Sequence, residues 1–149
     1  MRNTIAILED EIDRVQVMLP LLKELFPHLE TVLFSKAPEI NAWLEENLEC
    51  CVLICLDHDL GADIIEEDKR IDPGDGRDVT NFLSNKTPVC PVLIHTTNTY
   101  ARPTMIESLE ENNWEVDYVA PYEDVLWIHQ SWKKRVCELL STEADNHAV

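Results

Sequence analysis

The chain has 149 residues, is 45% hydrophobic and carries a formal net charge of −17, with 12 basic residues against 29 acidic ones. That length and apolar share fit one compact domain with a sizeable core and exclude a disordered segment. The charge counts against a nucleic-acid role, because phosphate backbones are bound by displacing counterions with Lys and Arg.

No apolar run approaches the roughly 18 residues of a membrane span, and the first residues lack a secretory pattern, so no membrane contact is expected. Four of the five cysteines (Cys50, Cys51, Cys55, Cys90 and Cys137) fall in or beside strand-like runs. A thiol there behaves as a small buried hydrophobe, so a reduced, cytoplasmic protein is the economical expectation.

In chain order, Ile5 to Leu8 is a short apolar strand. Ile12, Val15, Leu19, Leu22 and Phe26 follow at helical spacing, with Pro20 expected to kink or restart the helix. Leu29 to Phe34 reads as a second strand, and Ala37, Ile40, Leu44 and Leu48 mark the next helix. Cys51 to Leu56 is almost wholly apolar, as in a central parallel strand covered on both faces.

A polar stretch from Gly61 to Arg77 precedes a short helix begun by Val79, Phe82 and Leu83. Val89 to Ile94 is the fourth strand, Met105, Ile106 and Leu109 carry a helix, and Val116 to Val119 is the fifth strand. Val125, Ile128, Trp132, Val136 and Leu139 form the stripe of a closing helix, with Lys133-Lys134-Arg135 on its solvated side. Residues 141–149 lack an apolar period and read as a flexible tail. Five βα units predict an α/β domain over 1–140: a doubly wound, five-stranded parallel sheet, flavodoxin-like with strand order 2-1-3-4-5 and helices on both faces.

In such a sheet, ligands sit beyond the carboxyl ends of the strands. Three polar clusters lie there: Glu9-Asp10-Glu11, Asp57-His58-Asp59 and His95-Thr96-Thr97. Carboxylates meeting at one spot repel unless a cation or proton neutralises them. Glu9, Asp10 and Asp57, with Asp59 beside them, are the candidate ligands of Mg²⁺ or Mn²⁺. His58 sits between two acids and is a candidate proton carrier, its alternative being to pack on the neighbouring strand. Strand alternation sends one of His95 and Thr96 into the site and the other toward a flanking helix. Asn98 contacts a ligand or caps the following helix.

The order and spacing over residues 3–140 resemble the receiver domain of two-component response regulators. Glu9 and Asp10 match its acidic pair, and Leu56-Asp57-His58-Asp59-Leu60-Gly61 places Asp57 at the phosphoacceptor. Thr96 matches the hydroxyl residue that ends the fourth strand. The resemblance implies Mg²⁺ at the acidic pair, a kinase or phosphotransfer protein as partner, and a phosphoprotein of two-component signal transduction. Two departures stand out: Ala120-Pro121 occupies the place of the family's Lys-Pro, and an acidic insertion (62–76) carries Asp63, Glu66, Glu67, Asp68, Asp72 and Asp75. Most of those charges are read as solvated, with interest reserved for Asp72 and Asp75. The runs Leu-Asp-His-Asp-Leu-Gly (56–61) and Ile-His-Thr-Thr-Asn (94–98), followed by Met105, resemble the receiver branch predicted to process cyclic phosphate ends.

Three functions follow. The first is a phosphorelay module with Asp57 as acceptor and Thr96 as reporter. The second is a metal-dependent enzyme on a small phosphate ester, cyclic or open, with His58 or His95 moving the proton. The third is a receiver-like binding module without chemistry. If a phosphoryl group on Asp57 needs a cation in place of the absent lysine, Arg77 and Arg102 are the expected sources.

Overall fold

The computed structural model describes residues 2–61 and 64–147; Asp63, named among the acids of the insertion, lies outside them. The elements run β1 (Thr4–Leu8), α1 (Ile12–Leu25), β2 (Glu30–Phe34), α2 (Ala37–Asn47), β3 (Cys51–Leu56), β4 (Ile64–Glu66), β5 (Lys69–Ile71), α3 (Gly76–Leu83), β6 (Val92–His95), α4 (Ala101–Glu110), β7 (Val116–Val119) and α5 (Lys133–His147). The main sheet has the order β2-β1-β3-β6-β7 and every pairing in it is parallel. With the β4–β5 pair set aside, that is the expected 2-1-3-4-5 order.

Alternation along the strands divides the core into two layers. Ala6, Leu8, Ile54, Leu56, Val92 and Ile94 pack with Ile40 and Leu44 of α2, Val79 and Leu83 of α3, and Met105 and Leu109 of α4. Ile5, Ile7, Leu53, Cys55 and Leu93 face the opposite way, onto Met18 and Leu22 of α1 and onto Trp127, Trp132 and Val136 of the closing segment. All six residues of β3 are buried, which explains a strand apolar at every position. No helix among the described residues is long and apolar enough to cross a membrane.

Two local expectations are revised. Pro20 does not divide α1, which is one helix from Ile12 to Leu25. The fourth strand starts at Val92 rather than Val89. The acidic insertion, for which no element was expected, contains a hairpin: Ile64 to Glu66 pairs antiparallel with Lys69 to Ile71. Its turn residues Glu67 and Asp68 have φ of 50° and 64°, the left-handed pair of a type I′ turn that matches the twist of the strands. The hairpin is tied to the body by the Lys36–Glu66 ion pair and by the Ala37 amide on the Pro73 carbonyl.

At its base, Asp59 and Asp75 form an isolated bridge, and the Gly76 amide donates to the His58 carbonyl at 2.9 Å. Asp75 caps α3 by accepting from the Arg77 and Asp78 amides, while the Asp78 side chain accepts from the Asp75 amide. This stitching presses the start of α3 onto the end of β3. A Cβ on Gly76 would lie 2.2 Å from the Asp57 carbonyl oxygen and 2.7 Å from Met105 Cε. Backbone cannot yield as a side chain does, so Gly76→Ala is expected to lower the denaturation free energy by about 1–3 kcal/mol or more. A denaturant titration within about 0.5 kcal/mol of the parent would contradict that close approach.

Candidate active site

The ends of β1, β3 and β6 bring Glu9, Asp57 and His95 together. Each is buried, and one ligand atom from each lies within 4.8 Å of the others. Glu9 is held on both oxygens. Its Oε2 accepts the amides of Asp10 (2.9 Å) and Glu11 (3.2 Å), while Oε1 lies 3.1 Å from His95 Nε2 and 3.1 Å from Arg14 Nη1. Asp57 Oδ1 accepts the His58 amide at 2.7 Å, and Oδ2 lies 3.6 Å from Arg14 Nη1. Trp127 closes the floor: its ring is 5.5 Å from that of His95, and Arg14 Cζ lies 5.3 Å from its centroid.

Two buried carboxylates side by side cannot both be comfortably ionised. Burial, then the charge of Glu9, pushes Asp57 far above the carboxylate range, against a smaller downward pull from Arg14. Burial pushes Glu9 up as well, but the hydrogen bond and charge of His95, the Glu11 amide and Arg14 outweigh it and hold Glu9 low. Asp10 is raised by burial and by the charge of Glu9. In the metal-free protein, therefore, Glu9 is the carboxylate and Asp57 holds the proton.

The sign of the pH dependence follows. Asp57 binds its proton more tightly folded than unfolded, so stability declines as pH rises from the ordinary carboxylate range toward the elevated folded value. Glu9 works in the opposite sense, but its contribution is complete above the unfolded carboxylate value and lost only in acid. In EDTA the denaturation midpoint is expected to be lower at pH 8 than at pH 5. A midpoint that rises across that interval would contradict the assignment.

Asp59 and His58 form a second group at the mouth. His58 Nδ1 is 2.9 Å from Asp59 Oδ1, and its Nε2 is buried without a hydrogen bond, 3.7 Å from Asp75 Oδ2. Asn98 Nδ2 approaches Nδ1 at 3.3 Å. A single nitrogen cannot both donate to the acid and accept from the amide. The shorter contact assigns the proton to Nδ1, donated to Asp59.

Asn98 Oδ1 accepts the Tyr100 and Ala101 amides at the start of α4, so the capping role and the contact with a site residue coexist. Of the pair at the end of β6, His95 reaches the carboxylates, whereas the hydroxyl oxygen of Thr96 accepts the Asn98 amide at 3.0 Å. Asp10 stands apart from the trio: its Oδ1 is buried without a partner, and its Oδ2 faces Gly61, where a Cβ would meet it at 3.3 Å. Asp59 is an exposed partner of His58. Asp72 accepts the Gly74 amide in the insertion.

Ala120 is exposed. Neither expected source of a replacement cation reaches Asp57: Arg77 lies 4.0 Å from Asp75, and Arg102 stacks on Tyr118 at 4.3 Å. The cation at the site is Arg14, five residues after Glu9, on the first turn of α1.

This trio suits a divalent ion. Its donors are two carboxylate oxygens and an imidazole nitrogen. Carboxylates alone favour Mg²⁺ or Mn²⁺, whereas imidazole suits Zn²⁺ and its transition-metal neighbours. The mixed set is compatible with the expected Mg²⁺ or Mn²⁺ and, through the imidazole, with Zn²⁺.

Residues 6–111 match the sequence profile of the cyclic-phosphate processing receiver domain. The chain belongs to that family. The receiver fold is also that of the phosphorylated cyanobacterial phytochrome response regulator RcpA, at TM-score 0.70 and 19% identity, covering 95% of this chain and 96% of that one. The signal receiver domain of a Luxo repressor protein from Vibrio parahaemolyticus aligns at 0.67 and 14% identity over 99% and 96% of the two chains. The response regulator domain of Thermotoga maritima CheB aligns at 0.65 and 13% over 97% and 98%. No curated protein matches this receiver domain.

Proposed function

We propose that this receiver domain is a divalent-metal-dependent phosphoesterase whose substrate class is a small cyclic phosphate ester. The observation that carries the reading is the buried Glu9–Asp57–His95 trio, a mixed oxygen and nitrogen donor set, beside the oriented histidine His58. Glu9, Asp57 and His95 would hold the ion, which would neutralise phosphate charge and polarise a phosphoryl oxygen. His58 is built for the proton. Asp59 holds Nδ1–H at 2.9 Å, which puts the lone pair on the buried, unpartnered Nε2. Water attacks phosphorus and its proton passes to His58 Nε2. The bond from phosphorus to one ring oxygen breaks, and that oxygen takes the proton back, leaving a monoester. The Trp127 floor and the stitched start of α3 keep bulk water from the inner side.

The family's name and the net charge of −17 agree on a small ligand rather than a long polyanion. Incubation with Mn²⁺ and a 2′,3′-cyclic nucleotide, followed by chromatography, is expected to give a monoester, and EDTA is expected to stop the reaction. An untouched cyclic ester under Mn²⁺ and Zn²⁺ alike would defeat the reading.

One observation favours a second reading. Asp57 ends β3 beside Glu9 and a cation, and phosphoryl transfer to a carboxylate asks for little beyond positioning and charge neutralisation. In that case a kinase or phosphotransfer protein is the partner, and the Thr96 hydroxyl would exchange the Asn98 amide for the phosphoryl group. Labelling of Asp57 by a small phosphodonor, persisting in His58→Ala, would identify it.

A further inference from the structure

A phosphate that approaches Glu9 and Asp57 meets two carboxylates. Anions bind beside carboxylates only where a hydrogen-bonding cation faces them. Among the described residues, Arg14 is the basic side chain whose charged end lies at the trio. We propose that Arg14 is the phosphate-binding residue of this domain, offering substrate oxygens the Nη2 end of its guanidinium, which holds neither Glu9 nor Glu11. The inference rests on the phosphoesterase reading for its substrate but not for its geometry.

Four contacts fix the group. Nη1 lies 3.1 Å from Glu9 Oε1 and 3.6 Å from Asp57 Oδ2, Nε lies 2.8 Å from Glu11 Oε2, and the plane rests over Trp127 with Cζ 5.3 Å from the ring centroid. Nη2 carries none of these contacts. The side chain is 15% exposed, and its face is covered by Trp127. A planar fork held in this way matches two phosphate oxygens, and an ammonium would not. Glu11 and Trp127 are then positioning residues that set the angle of the fork. Arg14 also competes with a divalent ion for Glu9 and Asp57, so its two roles have opposite signs.

That opposition supplies the test. Binding of inorganic phosphate to the Mn²⁺-loaded protein is measured by calorimetry, and binding of Mn²⁺ alone by electron paramagnetic resonance, in the parent, Arg14→Ala and Arg14→Lys. Arg14→Ala is expected to weaken phosphate at least tenfold while Mn²⁺ binds as tightly as in the parent or more tightly. Arg14→Lys, which keeps the charge and loses the fork, is expected to weaken phosphate severalfold with Mn²⁺ little changed. Phosphate affinity unchanged in a folded Arg14→Ala protein overturns the proposal. So does a parallel loss of both affinities, the mark of a merely structural arginine. If the alanine variant does not fold, the lysine variant decides on the same criteria. Turnover of the cyclic nucleotide by the parent separates the two ideas. Arg14-dependent phosphate binding without turnover removes the esterase reading and leaves the assignment standing, whereas turnover with Arg14-independent phosphate binding does the reverse.

Discussion

Asp57→Asn is expected to raise the stability of the metal-free protein while it weakens divalent-metal binding. At pH 8 the native state must keep a proton on Asp57, or else hold a second negative charge beside Glu9, and burial makes either costly. An asparagine has the same shape, accepts the His58 amide through its oxygen and can donate to Glu9 through its nitrogen, with no charge to suppress. The gain is at least about 1 kcal/mol at pH 8, the equivalent of one unit of pKa displacement, and shrinks toward pH 5, where keeping the parent protonated costs less. The same substitution removes an anionic donor from the trio, so Mn²⁺ affinity falls at least tenfold, about 1.4 kcal/mol. Denaturant melts in EDTA at the two pH values, paired with a Mn²⁺ titration, read both effects. A destabilised variant that binds Mn²⁺ normally would place Asp57 in a structural role.

The second large effect divides the histidines. His58→Ala is expected to reduce turnover of a cyclic ester on the order of 10²–10⁴-fold, the usual contribution of a positioned acid or base, with Mn²⁺ affinity unchanged. His95→Ala is expected to act on the metal instead: its Nε2 is one of the three donor atoms, and it also holds Glu9 ionised. Mn²⁺ binding should then fall at least tenfold, and turnover should recover in part when the metal concentration is raised. Asp59→Asn should resemble a milder His58 variant, since it loosens the Nδ1 contact without removing Nε2. Equal losses of metal affinity in both histidine variants would dissolve the division between proton carrier and ligand.

Much of this was legible in the residues. The apolar runs Ile5 to Leu8 and Cys51 to Leu56 could only be inner strands, and polar residues just beyond them had to meet at one edge of the sheet. Glu9 and Asp57 followed directly. Within the acidic pair the two side chains part: Asp10 Oδ2 faces Gly61, while Glu9 meets His95, the last residue of β6. Side-chain direction at a strand end depends on where pairing stops, which alternation alone does not say.

Arg14 was missed because helical periodicity reports which residues face the core and is silent about which polar residue leans over the strand end. Its place on the first turn after Glu9-Asp10-Glu11 was the available clue. The hairpin escaped because its turn is Glu67-Asp68, without the glycine that usually announces left-handed residues. Trp127, wedged between Arg14 and His95, lay one residue outside the simplest reading of the closing stripe.

The claim on which everything else depends is that His95, rather than Asp10, completes the metal site. Crystals soaked in Mn²⁺ and measured near its absorption edge locate the ion without reference to activity. The expected anomalous peak is bonded to one oxygen each of Glu9 and Asp57 and to His95 Nε2. A peak on Glu9, Asp10 and Asp57 with the imidazole outside the coordination shell, or no peak at this strand edge, would contradict it.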